Sequence, residues 1–267
     1  MRLNVLGTSK VALAICERLV EKDHTVRFVV SRSKEKAKAF VEHLGVGEAI
    51  TYQELESLSD VIFFAVPDSV IERVYEQVKD RCAPNSCLIH FSGFHSSKIF
   101  ANADDLGFSR ASMHPNLSFA DAKVAYLNLP NCIFGVEGDN SGLKIAIELV
   151  KDISGKYIVL SESGKIAYHL AAVICSNFVV GLTALAEKIY SSSGVGDFRG
   201  LMSSLISSVA QNISAKSVVE SLTGPVARGD WQVVEKEREI FEKTFPHFVS
   251  LYDNMVEILK KLKEGKL

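Results

Sequence analysis

Lys165 and His169 stand four residues apart in "KIAYHLAAVICSNF" (165–178), so on a helix they share one face with Ala172 and Ser176. Two cations one turn apart, near the positive end of a helix, disfavour each other's charge. That moves both toward neutral pKa values, where a side chain can give and take a proton. Asn177 lies roughly 80° round from His169 on a helix of about 3.6 residues per turn, placed to orient a substrate. A polar stripe on an otherwise apolar helix needs something polar to face. The same pair would also serve structure, as a snorkelling lysine and a hydrogen-bonded buried histidine. His114-Pro115 leads into a loop containing Ser118. Proline fixes the chain direction there, which makes His114 a further proton-transfer candidate and Ser118 a substrate contact. In "LTGPVARGD" (222–230), Gly224-Pro225 sets a turn. It offers Arg228 to a substrate carboxylate, while Asp230 equally suits a helix N-cap.

A second group of residues suits a phosphate. "NVLGTSKVA" (4–12) has the outline of a dinucleotide-binding turn with one glycine where three are usual. Gly7 keeps the tight turn, Ser9 takes the position where backbone meets a pyrophosphate, and Ala12 takes the helix–strand packing position. The anion site itself comes from unpaired amides and the dipole at a helix N-terminus, so Gly7, Thr8, Ser9, Lys10 and Val11 can still form it. At the end of the next strand, "VVSRSKEK", no acidic residue is present to hold the adenosine ribose of NAD. Ser31, Arg32 and Ser33 stand there instead, with Lys34 and Lys36 behind. That set suits the 2′-phosphate of NADP, although Ser33 would also cap a helix. Ala65-Val66-Pro67 and Ser92-Gly93 end two further strands, where backbone can approach the rest of the cofactor.

The elements that must carry these residues alternate. Runs at 2–6, 25–30, 60–66, 87–92, 109–114, 132–137 and 156–160 read as strands, with helical segments such as 10–22, 33–44 and 68–80 between the early ones. This is the pattern of a doubly wound α/β sheet. From about residue 161 no strand is expected. A helix of roughly thirty residues, capped by Ser161 or Ser163, is followed by helices near 197–213, 214–222, 230–244 and 246–263. The reading is a nucleotide-binding domain over 1–160 and an all-helical domain over 161–267.

"ASMHPNLSF" (111–119), "KIAYHLAAVICSNF" and "LTGPVARGD", taken with the N-terminal turn, resemble a family of Rossmann-like proteins whose C-terminal part is domain of unknown function 2520. That family is similar in plan to pyrroline-5-carboxylate reductase, ketopantoate reductase and the β-hydroxyacid dehydrogenases. The resemblance implies a mostly parallel Rossmann-type sheet, NADP as cofactor, a helical second domain that often dimerises, and a cleft between the domains. It also implies that a lysine and an asparagine of the helix at 165 line the reacting centre. The spacing of Lys165 and Asn177 is longer than in those dehydrogenases.

Composition narrows the classes. With 30 Lys+Arg against 32 Asp+Glu, no nucleic-acid or membrane-surface footprint is expected. Five cysteines without a CxxC pair suit reduced thiols in the cytoplasm rather than a zinc site or disulfides. No signal peptide is expected, and the apolar stretch 170–186 reads as a buried helix rather than a membrane span. Two functions remain open. One is an NADP-dependent oxidoreductase acting on a small carbonyl, imine or hydroxy compound, working as a homodimer through its helical domain. The other is a non-catalytic NADP-binding redox sensor.

Overall fold

The structure, a computed structural model, describes residues 1–267. It divides into two compact units, 1–177 and 178–267.

The first unit is built in chain order from β1 (Arg2–Leu6), α1 (Lys10–Val20), β2 (Thr25–Val30), α2 (Lys34–Leu44), β3 (Glu48–Ile50), β4 (Val61–Phe64), α3 (Ile71–Val78), β5 (Cys87–His90) and β6 (Ser109–Pro115). It continues through α4 (Ala122–Asn128), β7 (Ile133–Gly138), α5 (Asn140–Asp152), β8 (Lys156–Val159) and α6 (Lys165–Val173). Eight strands form one sheet in the order β3-β2-β1-β4-β5-β6-β7-β8. All neighbouring pairs are parallel except β6–β7. The strand order reverses beside β1, which creates a crevice at the carboxyl ends of β1 and β4. Two apolar layers hold the sheet. Ala12, Ile15, Cys16 and Leu19 of α1 pack on one face with Val5, Phe63 and Ile89, and Ile71, Val74, Tyr75 and Val78 of α3 pack on the other with Leu6, Phe64 and Leu88.

The strands stand where the residue pattern puts them, to within two residues at either end. Short β3 and helices α4 and α5 are additional. β3 has only three residues, Glu-Ala-Ile, too few for a period-2 signal.

The boundary lies later than residue 161, because α6 belongs to the first unit through Lys165, whose ammonium reaches the sheet. Ser161 does cap the start of this helix, accepting from the amide of Gly164 at 3.1 Å. The helix runs on from Glu162 to Ser192. Five of its residues, Ile174–Phe178, form a π-turn.

The second unit contains α7 (Val179–Ser192), α8 (Phe198–Ala215), α9 (Pro225–Arg228), α10 (Trp231–Thr244) and α11 (Val249–Lys263). The helix expected at 214–222 is a set of turns, because Ser217 directs its hydroxyl and its amide to Glu220 and interrupts the ladder. The expectation of a buried helix at 170–186 also needs correction. The 162–192 helix is long and apolar enough to cross a membrane by length and composition, and no residue of its most apolar eighteen-residue window is buried. Val180 and Leu182 of α7 are exposed, as are Leu201, Leu205, Ile206, Val209 and Ile213 of α8.

Candidate functional site

β1 delivers the chain to Gly7 at a φ of +106°. A Cβ there would stand 2.3 Å from the carbonyl oxygen of Ala65, so only glycine allows the β1 and β4 ends to meet. Ser9 is the N-cap of α1, accepting from the amide of Ala12 at 3.3 Å. The remaining first-turn amides have no intrahelical acceptor and face the crevice mouth, where an anion would satisfy them. The crevice measures about 670 Å³ and is lined by Gly7, Thr8, Ser9, Val11, Ser31, Arg32, Ser33, Ala65, Val66, Pro67 and Ser92 among others. Lys10 is not on this wall. Its ammonium donates instead to the carbonyl of Ala120, in the loop after β6.

At the far wall Arg32 enters no ion pair, whereas Lys34 is held by Glu54. The serines are more committed. Ser33 Oγ donates to Glu35 at 2.8 Å and accepts from the amide of Lys36 at 3.3 Å, capping α2. Ser31 Oγ accepts from the amide of Ser33 at 3.2 Å and keeps its proton free. Arg32 is therefore the free charge at this end of the crevice, with Lys36 on the same wall. The pocket geometry fits a dinucleotide: a glycine cradle, a helix N-terminus and an unpaired guanidinium lie along one groove.

Asp68 was not singled out by sequence reasoning, although the "VPDS" turn at a strand's carboxyl end was the place to look. Its carboxylate lines the crevice and accepts from Ser92 Oγ at 2.6 Å. Ser92 Oγ in turn accepts from the amides of Phe94 and His95 at 3.1 and 3.0 Å. Tyr52 and Phe91 also line the crevice without having been foreseen.

Below Ser92 the polar residues converge. Lys165 is completely buried. Its Nζ donates to the carbonyl of Ser92 at 3.0 Å and to Ser112 Oγ. Burial pulls the ammonium down to about 8, against the opposing pull of Glu137 and Asp68. His114 Nδ1 lies 3.0 Å from the carbonyl of Phe91 and must donate to it. Burial, with the nearby Lys165 and His169 charges, lowers its pKa, so Nε2 carries a free lone pair. His114 and His169 stand perpendicular with centroids 5.8 Å apart. A Cβ on Gly93 would be 2.6 Å from His169 Nδ1 and 2.8 Å from His114 Nε2. Gly93 is thus the floor beneath two imidazoles and not a wall of the crevice, and His169 Nδ1 is buried without a partner.

Two expected residues of the first unit are not brought into this group, and a third, Arg228, belongs to the second unit. Asn177 is exposed, and its Oδ1 accepts from Ser176 Oγ at 2.9 Å. The π-turn inserts extra backbone per turn, which breaks the 3.6-residue register that would have kept it near the Lys165 face. Ser118 lies exposed in the loop after β6. Arg228 in the second unit is paired with Asp230 at 2.7 Å, so Asp230 makes no side-chain cap on α10.

Comparisons with known proteins place this arrangement. Residues 2–91 match the family described as NADP oxidoreductase coenzyme F420-dependent. Residues 132–258 match domain of unknown function 2520. Protein TM1727 from Thermotoga maritima is 40% identical, with 99% of each chain covered and a TM-score of 0.79. The chain belongs to the Rossmann-like family that carries domain of unknown function 2520. In fold it is also similar to BF3122 from Bacteroides fragilis, at 17% identity, 97% and 98% coverage and a TM-score of 0.82. It is similar in fold to a reductive aminase from Aspergillus terreus in complex with NADPH and ethyl levulinate, at 15% identity, 99% and 94% coverage and a TM-score of 0.65. No curated protein sequence matches the chain. An NADP-oxidoreductase-type nucleotide domain therefore precedes the family's C-terminal domain.

Proposed function

We propose that the protein is an NADPH-dependent reductase of a small carbonyl or imine compound. The observation that carries this reading is the free Arg32 guanidinium at the wall of a dinucleotide crevice whose other end reaches Ser92, directly above Lys165. The nicotinamide, when bound, would supply a hydride. The chain would then supply one proton to the reduced oxygen or nitrogen. Lys165 and His169 are the acid–base candidates; the proton given up is replaced from solvent, which the free Nε2 of neutral His114 would pick up and relay. Lys165 lies under the turn and fixes the Ser92 carbonyl, so the imidazoles at Gly93 are the groups nearest the surface.

The test is a screen of NADPH oxidation at 340 nm against imines, ketones and 2-oxo acids, using wild type, Lys165→Ala and His169→Ala. Turnover by wild type that both variants lose, with NADPH binding retained, supports the reading. Nucleotide binding without turnover for any class points instead to a redox sensor.

We further propose a second copy of the chain as partner. An apolar face as extensive as that of α7 and α8 is more than a lone chain keeps in water. Two-fold pairing would cover the same patch on both subunits. Sedimentation at micromolar concentration should give a dimer, and Leu205→Glu should shift it toward monomer.

A further inference from the structure

The register of the sheet sets Leu6, Phe64, His90, Ser112 and Glu137 side by side on successive strands β1, β4, β5, β6 and β7. The first two belong to the apolar layer under α3. The last three are buried and polar. Residues directly opposite on neighbouring strands share a face and lie within contact range, so the row changes from oil to hydrogen bonds at its β5 end.

Each member of the polar part has a defined partner. His90 Nδ1 accepts from the amide of Ser92, and Nε2 donates to the carbonyl of Ser96, both at 3.2 Å. Burial, helped by the charge of Lys165, holds this imidazole neutral, with its pKa pulled down to about 3. Ser112 Oγ accepts from Lys165 Nζ. Glu137 accepts from the amide of Ser97 at 2.7 Å and from its hydroxyl at 2.8 Å. Those two donors satisfy one lone pair on each carboxylate oxygen without supplying any cationic charge. Ser112, opposite Glu137 in the register, carries the ammonium of Lys165, on which the Glu137 charge acts.

We propose that Glu137 is the counter-charge of Lys165, a positioning residue that keeps the lysine protonated under the Ser92–Gly93 turn. An unpaired ammonium at complete burial would shed its proton. Asp68, which also acts on Lys165, sits at the crevice and is already bonded by Ser92. The other groups facing the lysine, His90 from β5 and His114 from β6, are neutral and offer it no counter-charge, and His169 on α6 stands against His114. Of the two carboxylates, Glu137 is buried and Asp68 is exposed. Through Ser97 it also ties the loop after β5 to β7, so the same side chain fixes both the charge and the height of the turn.

This inference rests on the reductase reading only for its consequence in turnover. The charge coupling is measurable without any substrate. The experiment follows the ¹³Cε–¹⁵Nζ resonance of Lys165 in isotopically labelled full-length protein, assigned by its loss in Lys165→Met. Wild type should titrate near 8. Glu137→Gln should lower the midpoint by about one unit or more, the effect of removing an opposite charge a few ångströms away. Ser97→Ala keeps the carboxylate and should leave the midpoint nearly unmoved. An unchanged midpoint in Glu137→Gln would overturn the proposal. Should that variant not fold well enough for the titration, thermal unfolding decides. Glu137→Gln/Lys165→Met, which removes both charges, must melt above Glu137→Gln alone, and an equal or lower melting temperature overturns the coupling. If Lys165→Met retains turnover while the midpoint still shifts, the reductase role of the lysine falls and the pairing stands.

Discussion

Arg32→Ala tests the nucleotide assignment most directly. The guanidinium has no acidic partner within the chain, so its removal leaves no buried carboxylate exposed and no helix uncapped. What disappears is whatever Arg32 does for a ligand. A hydrogen bond to a charged group contributes about 1.5–3 kcal/mol, and about 1.4 kcal/mol is tenfold in affinity. Ser33 has already given its proton to Glu35, leaving Ser31 and Lys36 as the remaining donors at this wall. NADPH affinity should therefore fall roughly tenfold to a hundredfold, while NADH, which has no 2′-phosphate, should change little. Calorimetric titration with both nucleotides at two salt concentrations makes the comparison. The wild-type preference should narrow as salt rises, because an exposed charge pair is screened. Parallel losses for NADPH and NADH, or none for either, would refute the placement of the phosphate.

Gly7→Ala should cost the fold as well as the ligand, since its Cβ would overlap a backbone carbonyl that cannot rotate away. A lowered melting temperature with nucleotide binding abolished is the expected pair of results. Gly93→Ala differs, because the atoms it would strike are the ends of imidazole side chains rather than backbone. Binding of NADPH should survive while turnover drops by about a hundredfold, the usual effect of moving a reacting group by about 1 Å. Lys165 makes a stability prediction with a definite sign. Its folded pKa, about 8, is below the unfolded value near 10.5. The unfolded chain then binds more protons across that window, and wild type should gain stability as pH rises from 8 toward 10.5. The gain, at most roughly 3 kcal/mol, should be absent from Lys165→Met in denaturant titrations at stepped pH.

The sheet was legible because its central strands, β1, β4 and β5, are buried and read as short apolar runs. The nucleotide crevice was legible for the same reason, since its wall is those strand ends. The lower site was only half visible. Lys165 and His169 share a face by local spacing, but Asn177 was misplaced, because a π-turn leaves no signature in a sequence read at 3.6 residues per turn. Asp68 and Glu137 act through partners distant in sequence, Ser92 and Ser97, so no window contains both ends of either contact. Glu137 did leave one trace: a carboxylate ending the run "CIFGVE", where a doubly buried strand should carry an apolar residue. The stretch 170–186 was read as a buried helix, since the same apolar residues appear in a sequence whether or not the chain's own fold covers them.

The reversed direction of β7 is what makes the buried pair possible. Glu137 is the penultimate residue of its strand, and in the antiparallel pairing it lies opposite Ser112, in the middle of β6. A parallel strand in the same place would carry its last residues toward the end where His114 stands, at the rim. A carboxylate there would be hydrated, and its attraction for Lys165 would be reduced by the higher dielectric of the surface. Reversal sinks it by the length of two residues and leaves Ser112 between the charges, with Ser97 donating to both carboxylate oxygens. A buried ion that loses its partner is destabilised by several kcal/mol, far more than an intact pair contributes. Lys165 and Glu137 should therefore tolerate joint removal better than removal of either alone. The direction of one strand then sets how much proton the site can hold near neutral pH.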